Sequence, residues 1–366
     1  MNLDPLIKIK WYIKISFSSR IASFKFIFSL MKTNNYVPNK NNIYEKKYTD
    51  LENKEIPYLE IYPEIAPRGF EVILFHGATP YGEKHPAMIN LALALANSGI
   101  KVYIPKLPKL TELEINNYSV DLINKFYLYI VRKKYHINII PAGISFGGGL
   151  LLRALVKDEV KKNLPKSILT YGTYYSLVSS IEFLLSGKIK INGREKYVKP
   201  NDWGLVVLFH NYLSEINAGF DTSQIEKILK LRVNNKISES ESELKKLPYN
   251  QKEIIIDIFN SNQSSIIKKM TKEIKSVYRN EMENISPSNI CDKIKFKVFL
   301  MHGANDSMVP YTESIKLNEN IKNSQLFISG LYEHREISSG NSIFQKLSEM
   351  KLMSNFLTDF IDYNEN

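Results

Sequence analysis

Sulfhydryl chemistry is almost absent from this chain. Cys291 is the single cysteine in 366 residues, which excludes an intrachain disulfide framework and fits a reducing, cytoplasmic setting. Long apolar runs are missing as well. No uncharged stretch approaches the length needed to cross a bilayer, and the first residues lack the compact apolar block and small-residue cleavage site of a secretory leader. Basic residues are in excess, yet they form no recognisable binding module, so no nucleic-acid partner is expected. No internal repeat occurs. The alternating serines and glutamates of 238–243 read as a solvated turn or helix face, because helical patterns resume on both sides.

What is present is a globular composition, 44% hydrophobic and 24% charged, sufficient for a large buried core. One large domain with an insertion is the organisation this suggests. The net charge of +11 is unevenly spread. Residues 1–40 carry Lys8, Lys10, Lys14, Arg20, Lys25, Lys32 and Lys40 against Asp4 alone. In the same stretch Ile13, Phe17, Ile21, Phe24, Phe28 and Met31 recur at helical spacing, with Lys14, Ser18, Lys25, Ser29 and Lys32 on the opposite side. Such a helix has two readings. It lies on an anionic membrane surface, giving peripheral contact through residues 8–32, or it packs its apolar stripe on the main body.

From about residue 57 short apolar runs alternate with helical stretches, the sign of a parallel sheet covered by helices. Residues 70–75, 102–104, 137–140, 167–170, 296–301 and 325–328 are predicted strands, and 86–97, 118–134, 147–158, 312–321 and 343–362 are predicted helices. Pro141 lacks an N–H for the ladder, so the strand around it should end or bend there. The alternation lapses between 173 and 290, where 177–185 and 205–213 have helical periods. The resulting division is a basic amphipathic extension over 1–56, a main domain over 57–172 and 291–366, and a helical cap over 173–290.

Four glycines crowd one serine in Gly143-Ile144-Ser145-Phe146-Gly147-Gly148-Gly149. A strand that turns abruptly into a helix, with the residue between them at positive φ, lifts that side chain clear of the sheet. Gly143 and Gly147 are then required because a Cβ two residues either side of Ser145 would clash. Gly148 and Gly149 would let the first helical turn press on neighbouring strands. The helix N-terminus also offers unpaired N–H groups for developing negative charge.

A serine hydroxyl is a weak nucleophile near neutral pH. It needs a histidine to take its proton and a carboxylate to orient that histidine. Of six histidines, His76, His85, His136 and His302 fall in or beside strands and early loops, and His210 lies in the insertion. His334 alone follows the last strand-like run. Asp306 follows the strand over 296–301, in the loop at its carboxyl edge, where parallel sheets keep their ligands. The order Ser145, Asp306, His334 is the one this architecture requires. His76, Tyr81 and His210 are further candidates for substrate contact. For each a structural role competes: support of the loop at His76, loop solvation at Tyr81 and cap packing at His210.

With Phe75-His76-Gly77-Ala78, Gly143 to Gly147, His302-Gly303-Ala304-Asn305-Asp306 and His334 in place, the chain resembles the α/β-hydrolase superfamily over 57–172 and 291–366. The resemblance implies an α/β fold with a mostly parallel, doubly wound sheet and a helical cap insertion. It also implies an oxyanion hole in the Gly77-Ala78 turn and at Phe146, built from the Ala78 and Phe146 backbone N–H groups. Two such donors stabilise a developing oxyanion by roughly 3 to 4 kcal/mol each. The serine excludes relatives that use aspartate, such as haloalkane dehalogenases. Hydrolysis of a carboxylic ester through an acyl-enzyme, with a small-molecule ester as partner and neither metal nor organic cofactor, is the leading expectation. Acyl transfer to another acceptor and a non-turning-over ligand-binding protein are the alternatives. The Leu, Ile, Phe and Tyr content of the cap favours an apolar or lipid-like acyl group.

Overall fold

A computed structural model describes residues 5–32, 42–191, 193–330 and 343–366. Its strands are β1 (Ile43–Thr49), β2 (Glu55–Ile61), β3 (Phe70–Phe75), β4 (Val102–Pro105), β5 (Asn138–Ile144), β6 (Ser167–Tyr171), β7 (Lys188–Ile191), β8 (Arg194–Tyr197), β9 (Lys297–Gly303) and β10 (Ser324–Ser329). Eight of them form one sheet in the order β1-β2-β4-β3-β5-β6-β9-β10. From β4 to β10 neighbours run parallel. β2 is antiparallel to both β1 and β4.

All six predicted strands occupy this sheet. It also contains β1 and β2, which start inside the stretch assigned to an N-terminal extension, so the sheet begins before residue 57. β1 carries no apolar alternation because only Tyr48 of its seven residues is buried, the pattern of an edge strand protected by charge. Nor does β5 end or bend out of the sheet at Pro141: it continues to Ile144, with Pro141 opposite Ile73, and its pairing with β6 begins one residue later at Ala142.

The helices are α1 (Pro5–Lys32), α2 (Pro86–Asn97), α3 (Pro108–Thr111), α4 (Asn117–Lys133), α5 (Phe146–Leu155), α6 (Leu177–Ser186), α7 (Trp203–Tyr212), α8 (Ser223–Val233), α9 (Ile237–Lys246), α10 (Tyr249–Phe259), α11 (Ser265–Val277), α12 (Arg279–Asn284), α13 (Thr312–Asn320) and α14 (Ile343–Glu365). Strand alternation divides the core between the two sheet faces. Ile73, Phe75, Ile168 and Val298 meet Phe126 of α4 and Leu150 of α5. Val72, Leu74, Ala142 and Phe299 face the layer of α1, α2 and α14, represented by Phe26, Leu93 and Phe360. Helices α6 to α12 and the β7–β8 hairpin make up the inserted stretch, and its apolar residues join the first of these clusters.

α1 packs against α14 and α2, with the opposite face from the one its bulky residues suggested. Ser19, Ala22, Ser23, Phe26 and Ile27 are buried. Ser23 Oγ lies 2.8 Å from Ser354 Oγ and 3.1 Å from Thr358 Oγ1, and Ser98 Oγ donates to the Ala22 carbonyl at 3.1 Å. Arg68 pairs with Glu365 and donates to the Ser18 carbonyl at 3.0 Å, tying both helices to the sheet. Phe17 (67% exposed), Ile21, Phe24, Phe28 (57%) and Met31 are left facing outward. Among the described residues no helix is long and apolar enough to cross a membrane.

Candidate active site

β5 delivers its last residue, Ile144, directly into the turn at Ser145, and α5 starts at Phe146. Ser145 has φ +52° and ψ −128°, a conformation that L residues rarely adopt and that costs energy to hold. Three hydrogen bonds fix it. Its N–H donates to the Tyr171 carbonyl at 2.7 Å, and its own carbonyl accepts from Gly148 N–H at 3.0 Å and from Thr173 Oγ1 at 2.9 Å.

The glycines serve close approach. A Cβ on Gly143 would come within 2.5 Å of Gly148 Cα, and one on Gly147 would collide with the His76 carbonyl. Gly148 presses on Gly143 of β5, as expected, and also on Thr173, whereas Gly149 meets Tyr174, just beyond β6.

The turn after β3 lies beside the serine: a Cβ on Gly77 would stand 3.0 Å from Ser145 Cβ and 3.5 Å from its Oγ. Gly77, Ala78 and Ser145 line one cavity. The Phe146 N–H belongs to the first turn of α5, where a helix has no acceptor of its own to offer.

His76 holds this turn from behind. It is completely buried, its Nδ1 is 2.8 Å from the Gly77 carbonyl, and its Nε2 accepts the Leu107 N–H at 3.1 Å. Nδ1 therefore carries the proton and the ring is neutral. Burial pushes its pKa down to about 4. Neither nitrogen is left for a substrate, so the contact role considered for His76 gives way to support of the loop. Tyr81 is 55% exposed, with its ring edge-on to His85 at 5.8 Å. His210 sits on α7 with Nε2 3.1 Å from the Glu112 carbonyl. Neither Tyr81 nor His210 lines the cavity.

Asp306 occupies the loop beyond β9, two strands from β5 at the same carboxyl edge. It is 2% exposed, and Oδ1 accepts the Met308 and Val309 N–H groups at 2.8 and 2.9 Å. Its Oδ2 is 3.4 Å from Nε2 of the buried His302, which also lies 2.9 Å from the Val309 carbonyl. β10 brings the chain to Gly330 at this edge, where the Ala304 N–H donates to the Ser329 carbonyl at 2.8 Å. His334 lies outside the described residues.

Two residues that the sequence did not single out position this edge. Thr173 locks the serine carbonyl, as described above. Glu313, buried on α13, accepts the Tyr175 and Ser176 N–H groups at 3.1 and 2.9 Å, joining the β6–α6 turn to the helix that follows the acid loop. A strand terminus adjacent to a nucleophile strand is itself the signal for Thr173; Glu313 leaves no such mark. The inserted stretch reaches the acid loop too, through Asn201 N–H donating to the Ser307 carbonyl at 2.8 Å.

The cavity has a volume of about 270 Å³. From Ser145 it runs into the layer between the sheet and α1, α2 and α14, and its walls beyond the mouth are almost wholly apolar.

No family model matches the chain, and no curated protein matches it. Solved structures do. The acylaminoacyl peptidase of Pyrococcus horikoshii shares 13% identity over 86% of this chain at a TM-score of 0.47; this chain covers only 41% of its length. A Staphylococcus aureus protein of unknown function shares 12% over 88% of this chain and all of its own, at 0.49. An acetyl xylan esterase of Paenibacillus sp. R4 shares 13% over 91% of this chain and 93% of its own, at 0.45. The eight-stranded, mostly parallel sheet with helices on both faces, and its positive-φ serine between β5 and α5, make this an α/β-hydrolase fold.

Proposed function

We propose that the protein is a serine hydrolase of carboxylic esters with apolar or lipid-like acyl groups, working through an acyl-enzyme. The observation that carries this is Ser145, held at φ +52° beside the Gly77-Ala78 turn at the mouth of an apolar cavity. Backbone strain of this kind is retained where the surroundings over-determine it for a purpose.

In the proposed cycle Ser145 Oγ attacks the acyl carbon while His334 takes its proton. The carbonyl oxygen becomes an oxyanion facing the Ala78 and Phe146 N–H groups. The intermediate collapses as His334 gives the proton to the leaving alcohol. A water activated by the same histidine then attacks the acyl-enzyme and releases the acid. Asp306 keeps the imidazole in the required tautomer and stabilises its cation. The Met308 and Val309 N–H groups on Oδ1 hold the carboxyl group in place. Residues 173–290 serve as the cap in this reading, supported by their contact with the acid loop through Asn201.

A fluorophosphonate probe tests the nucleophile. Labelling should map to the peptide containing Ser145 and vanish in Ser145→Ala. A folded protein that takes up no label would overturn the assignment.

A peripheral membrane location is supported by α1. At 100° per residue its exposed stripe (Phe17, Ile21, Phe24, Phe28, Met31) is centred about 150° from its buried stripe, with Arg20 on one flank and Lys25, expected on the opposite side, on the other. The helix contains no acidic residue. Bulky apolar side chains flanked by cations suit the surface of an anionic bilayer. Phe24→Asp with Phe28→Asp should abolish co-sedimentation with phosphatidylserine vesicles. Unchanged sedimentation would remove the membrane from the reading.

A further inference from the structure

We infer that the acyl chain is housed not under residues 173–290 but between the sheet and α1, α2 and α14, and that the substrates are esters of unbranched chains of medium length. The inference rests on the serine-hydrolase reading, because Ser145 forms the mouth of the site.

Protein interiors rarely leave voids larger than a water molecule. A cavity of about 270 Å³ that begins at the candidate nucleophile and has no charged residue among the described residues that line it is space kept for an apolar ligand. Among the described residues, none of 173–290 lines it. Among the described lining residues, polar side chains are confined to the mouth, where Thr79, His85, Ser145 and Tyr171 lie, and to Ser98 at the far end. Ser98 Oγ is already within 3.1 Å of the Ala22 carbonyl and 3.0 Å of the Ala94 carbonyl, so its proton is committed to the backbone. The shape excludes sugars and charged peptides and suits a hydrocarbon tail.

Its depth can be read from the sheet register. Ser145 follows the end of β5, whereas Val72 on the floor pairs with Ile140, five residues back. At about 3.3 Å per residue the floor extends for about 16 Å, which accommodates an extended acyl chain of about eight to twelve carbons.

Room for the tail is created at one rung of the sheet. Ala142 is flanked there by Leu74 of β3 and Leu169 of β6, and all three line the cavity. A leucine at 142 would bridge the gap. Phe26 and Leu30 of α1 form part of the opposite wall.

The test uses the full chain and a series of p-nitrophenyl esters from acetate to palmitate. Wild type should prefer the octanoate to dodecanoate range. Ala142→Leu should lower the ratio of kcat/KM for decanoate to that for butyrate by at least about tenfold. Leu30→Trp, at a half-buried helix position, should shift the ratio the same way should the strand variant fail to fold. A ratio within about twofold of wild type in a folded variant whose Ser145 still takes the fluorophosphonate overturns the cavity assignment and leaves the hydrolase reading standing. Loss of labelling at Ser145 in folded wild type overturns that reading instead. The cavity is then decided by cis-parinaric acid: saturable binding to wild type, displaced by dodecanoic acid and weakened in Ala142→Leu, supports it, and absence of saturable binding refutes it.

Discussion

Lowering the pH should weaken the fold through the loop at the candidate oxyanion site, and His76 is the reason. Its folded-state pKa lies near 4, against 6.5 for an unburied imidazole. The unfolded chain therefore binds the proton first. Stability is complete above pH 6.5 and declines as pH falls toward 4. Each pH unit in that window costs about 1.4 kcal/mol, so the whole interval costs about 3 kcal/mol, a sizeable part of the 5 to 15 kcal/mol that holds a typical domain together. The cause is local: a proton on Nε2 would set an N–H against the Leu107 N–H that it now accepts, in a site closed to water. Urea unfolding of wild type and His76→Gln at pH 7.5, 6.5, 5.5 and 4.5 isolates this group, since the carboxylates titrate in both proteins. The glutamine can still accept from Leu107 but does not titrate. It should start less stable, having lost the bond to Gly77, and the gap between the two proteins should close by about 2 to 3 kcal/mol between pH 7.5 and 4.5. Parallel pH profiles would refute the assignment of a neutral, proton-excluding His76.

Three further outcomes follow from other contacts. Gly147→Ala places a methyl group against the His76 backbone, which cannot move without displacing the Gly77 turn, so it should lose about 2 to 3 kcal/mol in urea unfolding and slow fluorophosphonate labelling. Asp306→Asn keeps an oxygen for the Met308 and Val309 N–H groups but removes the charge, so thermal stability should change little while kcat falls by about 10⁴; undiminished turnover would strip Asp306 of its orienting role. Lys101 and Glu60 form a 3.0 Å pair with side chains only 7% and 5% exposed; Lys101→Met should cost about 3 to 5 kcal/mol by thermal unfolding, and Glu60→Gln added to it should recover part of that loss.

The parts of the molecule legible in the sequence are those where a backbone requirement and an apolar run coincide. The elbow is the clearest, because strand, turn and helix meet in seven residues and the close approach to His76 tolerates only glycine. Asp306 was legible as a residue of the loop after a strand. Its hydrogen bonds to Met308 and Val309 were not, since they depend on how that loop folds back. β1 was illegible because Glu45, Lys46 and Lys47 sit where alternation should show, on an edge that has no second neighbour to bury them. The cavity could not be read at all. Ala142 is an unremarkable strand residue until the register puts it between Leu74 and Leu169.

α1 shows why hydrophobic periodicity identifies a helix without telling which side has a partner. Its two stripes repeat at the same spacing, one of Phe, Ile and Met, the other largely of Ser and Ala with Phe26 and Ile27. Bulk would favour the first for burial. Small side chains, however, let two helix axes approach closely, and the hydroxyls of Ser23, Ser354 and Thr358 satisfy one another at 2.8 to 3.1 Å once there. The buried face was thus selected by fit to α14, and the larger residues were left outside. Under the proposed function, a helix whose inner face closes an apolar cavity and whose outer face carries Phe24 and Phe28 would serve a lipid-like substrate twice, at the surface and in the pocket. The two roles separate by face: aspartates at 24 and 28 should release the protein from vesicles without altering its preference among soluble esters, whereas Leu30→Trp should alter that preference without releasing it.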